Sequence, residues 1–160
     1  MTREEFVERA MDMQEMLYRI SYGMVQNPHD QADAVQECLT RALQKYPTLR
    51  EERYFKTWLV RILMNVCTDM LRRRKRECLP GEIEVVIPEL GEGDMVQALS
   101  DLDVKYRVTL LLHHVEGYST KEVASIMRVP EGTVKYRLTR GRALLQEQLS
   151  ERGLRHETAR

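Results

Sequence analysis

The fold is decided by residues 119–145, which read STKEVASIMRVPEGTVKYRLTRGRALL. Ser119 and Glu122 have the spacing of a capping box, in which the serine hydroxyl accepts from a first-turn amide and the carboxylate accepts from the amide of the cap residue. The pair predicts a short helix that starts at Thr120, and Gly117 predicts the end of the helix that precedes it. Because proline disfavours helical backbone at the residue before it, Pro130 predicts the end of this helix, a tight turn and the start of a second helix.

The second helix separates into two sides when its residues are placed about 100° apart. Val134, Leu138 and Gly141 share one side, which is predicted to pack inward. The other side and its flanks carry six candidate DNA-contacting residues, namely Thr133, Lys135, Tyr136, Arg137, Thr139 and Arg140. A solvated amphipathic helix is the simpler interpretation of such a face. The capping box, the turn and the cations together favour a helix-turn-helix whose second helix enters a DNA major groove.

Charge is unevenly distributed along the 160 residues, although the 25 basic and 25 acidic side chains cancel. Residues 1–76 and 95–160 each have an excess of three cations, whereas residues 77–94 contain six acids, two Pro, three Gly and no base. We therefore predict a first domain over 1–76, a flexible acidic linker over 77–94, a second domain over 95–150 and a frayed polar tail over 151–160. The scarcity of Gly, Pro and aromatic residues argues against a β fold, so the protein is predicted to be all-α.

Apolar spacing predicts three helices in the first domain. The first runs from about Phe6 to Pro28, the second from about Asp30 to Tyr46, and the third starts near Phe55. The residues predicted to be buried are Phe6, Ala10, Met13, Leu17, Ile20 and Met24 in the first helix, Ala32, Val35, Leu39, Ala42 and Tyr46 in the second, and Trp58, Leu59, Ile62, Val66 and Met70 in the third.

The third helix enters Arg72-Arg73-Arg74-Lys75-Arg76, five consecutive cations that cannot all be neutralised locally. Together with Lys56 and Arg61 they indicate a surface that binds phosphates. The aromatic rings on which an unpaired base could stack there are those of Tyr54, Phe55 and Trp58. The alternative is a solvated helix end whose cations complement the helix dipole.

The sequence contains no set of residues typical of an enzyme, a metal site or a cofactor site. No nucleophile stands beside a base, and no glycine-rich loop is suited to bind phosphate. Cys38, Cys67 and Cys78 form no Cys-x-x-Cys pair and are predicted to be reduced thiols, with a redox role left open. His113 and His114 have no acid or cysteine at ligand spacing, so no metal is expected. Without a signal peptide or a long apolar run, we predict a cytoplasmic protein that does not insert into a membrane.

Four segments in this order resemble the sigma-70 family of bacterial RNA polymerase specificity subunits, in its small extracytoplasmic-function (ECF) group. They are DAVQECLTRA at 33–42, FKTWLVRILMNVCTDMLRR at 55–73, EGYSTKEVA at 116–124 and VPEGTVKYRL at 129–138. Both halves of the family pattern are present, over about residues 5–150. Three positions depart from the pattern: Asp103-Val104 replaces a frequent Leu-Pro, Gly141 replaces a frequent Ala, and Tyr136 replaces a smaller residue.

The resemblance implies partners and roles that spacing alone does not. It implies that the protein binds core RNA polymerase and promoter DNA, and that an anti-sigma factor holds it inactive. It places Asp33, Gln36 and Glu37 on the polymerase-docking surface, although by themselves these residues read as a solvated face. The residues implied at the minus-10 element are Trp58, Arg61 and Asn65, beside the cations Lys56, Arg72 and Arg73. Those implied at the minus-35 element include Lys135, Tyr136, Thr139 and Arg140. The acidic linker resembles the segment that the family threads into the polymerase's RNA path.

A conventional regulator is the alternative reading of the same helix-turn-helix. Such a protein binds operator DNA by itself as a dimer. It requires a dimer seam or an effector pocket, and the N-terminal half of the sequence shows neither. A hydrolase or redox enzyme based on Cys67 or the histidines has almost no support in the sequence.

Overall fold

The structure, a computed structural model, describes residues 1–77 and 94–158. Every regular element within these two ranges is helical, which confirms the predicted all-α fold. The chain divides into two compact units, which are described separately. Most of the predicted acidic linker, and the last two residues of the predicted tail, lie outside the described residues.

Within residues 1–77, the first unit contains four α-helices. They are α1 (Arg3–Asp12), α2 (Gln14–Val25), α3 (Pro28–Lys45) and α4 (Phe55–Glu77), with single 3-10 turns at Tyr46–Thr48 and Glu52–Tyr54 between α3 and α4. Helix α3 packs against both α2 and α4, and α2 also packs against α4. The three longest helices therefore form one small bundle.

The prediction of a single helix from Phe6 to Pro28 is wrong, because the helix is interrupted at Met13. The Met13 amide donates to the carbonyl of Ala10 at 3.2 Å, so the backbone tightens for one residue before α2 begins. The predicted buried face survives this break, since all six of its apolar residues are buried. A spacing pattern cannot reveal an interruption that keeps the same side chains on the inside.

Helix α3 begins two residues earlier than expected, because Asn27 caps it. The Asn27 side-chain oxygen accepts from the amides of His29 and Asp30, and Pro28 supplies a first residue that has no amide hydrogen to satisfy. Val35 and Ala42 are buried as predicted. Ala32 is exposed, contrary to the prediction. The buried face of α3 also contains Ala34 and Cys38, and the half-buried Leu39 and Tyr46 lie at its edges.

Helix α4 buries Leu59, Ile62 and Val66 as predicted, whereas Trp58 and Met70 are half-buried. A salt bridge between Arg74 and Asp30 connects the end of α4 to the first turn of α3. The amide group of Gln31 donates to the Tyr18 carbonyl at 2.8 Å and connects α3 to α2. These polar contacts fix the bundle at the end where the arginine run begins.

The second unit contains α5 (Asp94–Asp101), α6 (Val104–Leu110), most of α7 (Thr120–Met127) and α8 (Glu131–Thr158), and a π-helical turn at Leu111–Val115 continues α6. Asp103 caps α6 by accepting from the Lys105 amide at 3.1 Å, so the Asp-Val pair starts this helix without a proline. The buried Arg107 donates to the Leu102 carbonyl at 2.6 Å, which ties α6 to the end of α5.

The helix-turn-helix forms as the sequence predicts. Glu122 and Ser119 exchange both bonds of the capping box, at 3.1 Å each, and α7 starts at Thr120. The predicted stop at Gly117 is also present, since its φ of 78° is a left-handed conformation that favours glycine. Arg128 adopts the same region, with φ 56°, and ends α7 before the turn.

Helix α8 is longer than predicted. It continues to Thr158, whereas a frayed tail was expected after Ser150. Residues 151–158 contain no proline, and the glutamates and arginines there are good helix formers, which offsets the low helix propensity of Gly153. Within residues 1–77 and 94–158, none of the helices combines the length and the apolar character that a membrane span requires.

Candidate nucleic-acid and polymerase interfaces

The outer face of α8 presents the side chains that the sequence assigns to DNA. Lys135, Tyr136, Thr139 and Arg140 are exposed, and Tyr136 retains 62% of its accessible surface. Thr133 and Arg137 are half-buried and flank this face. Val134 and Leu138 are buried on the opposite side, as predicted. The polar face of α8 is therefore held outward by an apolar face that packs into the second unit.

One carboxylate at the start of α8 joins the two helices of the helix-turn-helix. Glu131 Oε1 accepts from the Thr120 hydroxyl of α7 at 2.9 Å and lies 3.8 Å from the Lys135 ammonium. The sequence analysis did not assign Glu131 to the site. The signals that could have found it are its place in the first turn and its spacing of four residues from Lys135.

On α4, three residues assigned to the minus-10 element share one side of the helix. At about 100° per residue, Trp58, Arg61 and Asn65 lie within about 60° of one another. Asn65 is exposed, and Trp58 and Arg61 are half-buried. Arg72 continues the same side two turns later. Lys56 is exposed at the start of α4, but it lies at least about 140° around the helix from the other three.

Arg73 lies apart from this set, because it faces α3. It lines an open groove of about 470 Å³ together with Asp33, Gln36, Glu37, Thr40, Arg41 and Met70. The three residues assigned to polymerase docking are thus brought together on one groove wall, and all three are exposed. Arg73 is the residue of the predicted minus-10 set that the structure places with them instead.

A second arginine, Arg41, bridges acids on the two helices of this groove. Its Nε donates to Glu37 Oε1 at 2.7 Å, and its Nη1 lies 3.9 Å from Asp69 Oδ2 of α4. Both contacts are exposed to solvent and so contribute little stability individually. Their effect is to fix the direction in which the Glu37 carboxylate points.

The arginine run at the end of α4 is only partly neutralised by its own unit. Arg74 pairs with Asp30, while Arg72, Arg73, Lys75 and Arg76 are exposed and form no ion pair in the described part of the chain. Four cations on about one and a half turns form a strong positive patch. The patch supports the prediction of a polyanion-binding surface better than the prediction of a solvated helix end.

The three rings proposed for base stacking have different environments. Tyr54 is 51% exposed, and the Arg53 guanidinium, held by Glu51 at 2.6 Å, lies over its ring at 4.7 Å. Phe55 is buried and packs edge-to-face on Phe6, so it belongs to the core and is unavailable for stacking. Trp58 contacts the Phe55 ring at a centroid distance of 5.9 Å and keeps part of its surface open.

The cysteines and histidines form local structural contacts. Cys38 and Cys67 are fully buried, and burial raises the pKa of each thiol to about 12. His113 Nδ1 lies 2.8 Å from the Tyr118 carbonyl, and its ring packs edge-to-face on His114 at 4.9 Å. Within residues 1–77 and 94–158, His, Cys, Asp and Glu form no group placed to hold a metal ion.

The two units match the two halves of one family pattern. Residues 10–77 match Sigma-70 region 2, and residues 93–145 match Sigma-70, region 4. The chain is 30% identical to the ECF RNA polymerase sigma factor SigW of Bacillus subtilis, over 92% of this chain and 90% of SigW. It is 32% identical to the RNA polymerase sigma-E factor of Streptomyces coelicolor, over 94% of this chain and 89% of that factor.

Solved structures share the fold. The sigma factor RpoE from Bartonella quintana, in complex with the anti-sigma factor NepR, matches with a TM-score of 0.78 and 25% identity over 92% of this chain and 98% of RpoE. CnrH, in complex with the cytosolic domain of CnrY, matches with a TM-score of 0.73 and 22% identity over 94% of this chain and 90% of CnrH.

Proposed function

Because this chain belongs to the sigma-70 family of RNA polymerase sigma factors, in its ECF group, we propose that it directs core RNA polymerase to promoters by reading two DNA elements. Sigma factors are transcription initiation factors and not enzymes, in agreement with the sequence-based prediction. The chain would act in the cytoplasm, where polymerase and promoters are located.

The second unit reads the minus-35 element in this proposal. The support is the outer face of α8, where Lys135, Tyr136 and Arg140 are exposed at the start of a helix that a shorter helix braces. In a helix-turn-helix the first residues of the second helix contact base edges in the major groove. Arginine and lysine there can donate to guanine, and the Tyr136 ring can contact a thymine methyl group.

The first unit opens the minus-10 element in this proposal. The support is the shared side of α4, where Trp58, Arg61 and Asn65 combine a ring edge, a cation and an amide. An unpaired base can stack on an aromatic ring while cations bind the neighbouring phosphates. The exposed cations of the arginine run would hold the backbone of the same strand.

Docking on core polymerase is proposed for the groove of α3 and α4. Its acidic wall, formed by Asp33, Gln36 and Glu37, offers acceptors to a basic or hydrogen-bond-donating surface. Arg73 on the opposite wall places a cation within the same groove. We propose that Arg73 contacts polymerase or the adjacent DNA phosphates at the edge of this surface.

The two units would act on one promoter through the chain that joins them. Linking two modules makes the second contact effectively intramolecular, so two weak binding events can produce one tight complex. The acidic linker would occupy a channel that polymerase uses for RNA. RpoE of Bartonella quintana binds the anti-sigma factor NepR, and we propose that an anti-sigma factor likewise regulates this chain.

The observation that carries the proposal is the match of both units to sigma-70 regions, each with its polar face exposed. The test is reconstitution of the full chain with core RNA polymerase on a promoter library, with open complexes and run-off transcripts as readouts. Transcription that depends on both added protein and promoter sequence is expected. Failure to bind core polymerase, with binding of palindromic DNA by the chain alone, would establish a conventional regulator instead.

A further inference from the structure

Glu131 is the first residue of α8 and the acidic member of an otherwise cationic face. Its side chain is 45% exposed, so it is available to a ligand that approaches the start of the helix. At about 100° per residue it lies about 40° from Lys135, at the edge of the surface that faces DNA in the proposed function. A carboxylate at this place repels DNA phosphates. Its presence there therefore needs a specific explanation.

The contacts of Glu131 orient its carboxylate. Both recorded partners, the Thr120 hydroxyl at 2.9 Å and the Lys135 ammonium at 3.8 Å, approach Oε1. Among the residues that the structure describes, none donates a hydrogen bond to Oε2. The hydroxyl of α7 therefore holds one oxygen, while the second oxygen keeps its full capacity to accept a hydrogen bond.

The surrounding charges make a carboxylate tolerable at this place. The Lys135 cation, 3.8 Å away, and the positive end of the α8 dipole both offset the negative charge of Glu131. The carboxylate can thus enter a major groove that would otherwise exclude it. What it can recognise there is restricted, because an ionised carboxylate only accepts hydrogen bonds.

We propose that Glu131 is a specificity-determining residue, which selects a cytosine in the upstream promoter element by accepting a hydrogen bond from the cytosine N4 amine. This inference rests on the proposed function of the second unit. Cytosine offers only a donor to the major groove, whereas adenine places the N7 acceptor beside its amine, and guanine and thymine offer acceptors; each of these acceptors repels a carboxylate. Thr120 acts as a positioning residue, because its hydroxyl fixes the rotamer of Glu131 without touching DNA.

The test uses the full chain with core RNA polymerase and a promoter library randomised in the upstream element. Bound templates are sequenced, so that base preference is measured at every position. The wild-type holoenzyme is expected to select cytosine at one position by about tenfold. Glu131→Gln should replace this preference by one for adenine, because an amide both donates and accepts, and should leave the other positions unchanged.

Two further variants separate positioning from folding. Thr120→Val removes the hydroxyl and should weaken the cytosine preference, while Thr120→Ser keeps a hydroxyl and should retain the preference.

Glu147→Gln is the matched control for Glu131→Gln, since it makes the same charge change at an exposed glutamate about 24 Å along α8. Its base preferences should equal those of the wild type.

The possible outcomes distinguish this inference from the proposed function. If the wild-type holoenzyme selects no upstream sequence, the proposed function of the second unit fails. If it selects an upstream sequence and Glu131→Gln changes no single-base preference, or weakens all positions equally, Glu131 has a structural role only and the inference is overturned. An equal change in Glu147→Gln would also overturn it, since net charge would then be the cause.

Discussion

Gly141 of α8 lies so close to α6 that a Cβ atom at this position would stand 3.2 Å from Cδ1 of Leu110. The sequence alone suggests that this glycine costs about 1 kcal/mol of helix stability relative to alanine. The structure gives a reason for it, because glycine allows the backbone of α8 to approach the buried Leu110 side chain. The departure from the family pattern is thus part of the packing between two helices.

The first prediction follows from this contact. Gly141→Ala should gain less than about 0.5 kcal/mol in the free energy of unfolding, because Leu110 must shift to admit the methyl group. Gly132→Ala, in the first turn of the same helix, is the control, since nothing lies within 4 Å of a Cβ atom there. Urea unfolding measures both variants. An equal increase in the free energy of unfolding of the two variants would show that the Leu110 side chain moves aside at little cost.

The second prediction concerns the buried thiols. With their pKa raised to about 12 by burial, Cys38 and Cys67 carry almost no thiolate at pH 8 and should not react with a disulfide reagent in the folded protein. The measurement uses a Cys78→Ser variant, in which two thiols should react only after denaturation. Rapid reaction of either thiol in the native state would reopen a redox role.

The third prediction is a pH dependence in the second unit. Burial, then Glu116 and Glu122, raise the pKa of Tyr118 from 10.0 to about 12. Between these values the unfolded chain has lost a proton that the folded chain retains, so the free energy of unfolding falls as pH rises from 10 towards 12. Urea unfolding of Tyr118→Phe should show a smaller fall over this window. If the free energy of unfolding fell equally with pH in the variant and the wild type, Tyr118 would not be the source of the pH dependence.

The fourth prediction tests the outer face of α8. Arg140→Ala should reduce transcription that depends on the upstream element by about tenfold, since a good contact to a base contributes about 1–3 kcal/mol of discrimination. Run-off assays on templates with and without that element measure the effect. Arg3→Ala removes an exposed cation from α1 and serves as the control. Unchanged promoter selectivity in Arg140→Ala would remove Arg140 from the reading face.

The fifth prediction compares two cations on α4. Arg61 shares a side of the helix with Trp58 and Asn65, whereas Lys56 lies on a different side. Arg61→Ala should therefore impair promoter opening several-fold more than Lys56→Ala does, as measured by permanganate reactivity of unpaired thymines. Equal effects would mean that charge alone, and not position on the helix, determines opening.

Local signals predicted the second unit well. The Ser119–Glu122 capping box, the stop at Gly117 and the two sides of α8 depend on neighbouring residues, so the sequence contains all the information they need. The outward direction of Lys135 and Tyr136 follows from the same periodicity.

Tertiary contacts account for what the sequence did not predict. The interruption at Met13 preserves the apolar spacing, so no pattern marks it. Ala32 was predicted to be buried, but alanine fits a buried or an exposed position equally well. Helix α3 packs against α2 and α4 with Ala34 buried instead. Arg73 follows Arg72 in an unbroken cationic run, and only the position of α3 reveals that it lines the acidic groove.

The two sides of α8 have a practical consequence for engineering. Val134 and Leu138 are buried and anchor the helix, while Lys135, Tyr136 and Thr139 are exposed on its other side. We expect that these exposed side chains can be substituted together without changing the helices that position them. If the proposed function holds, promoter preference can be changed by substitutions on one helix surface, with the anchoring residues left unchanged.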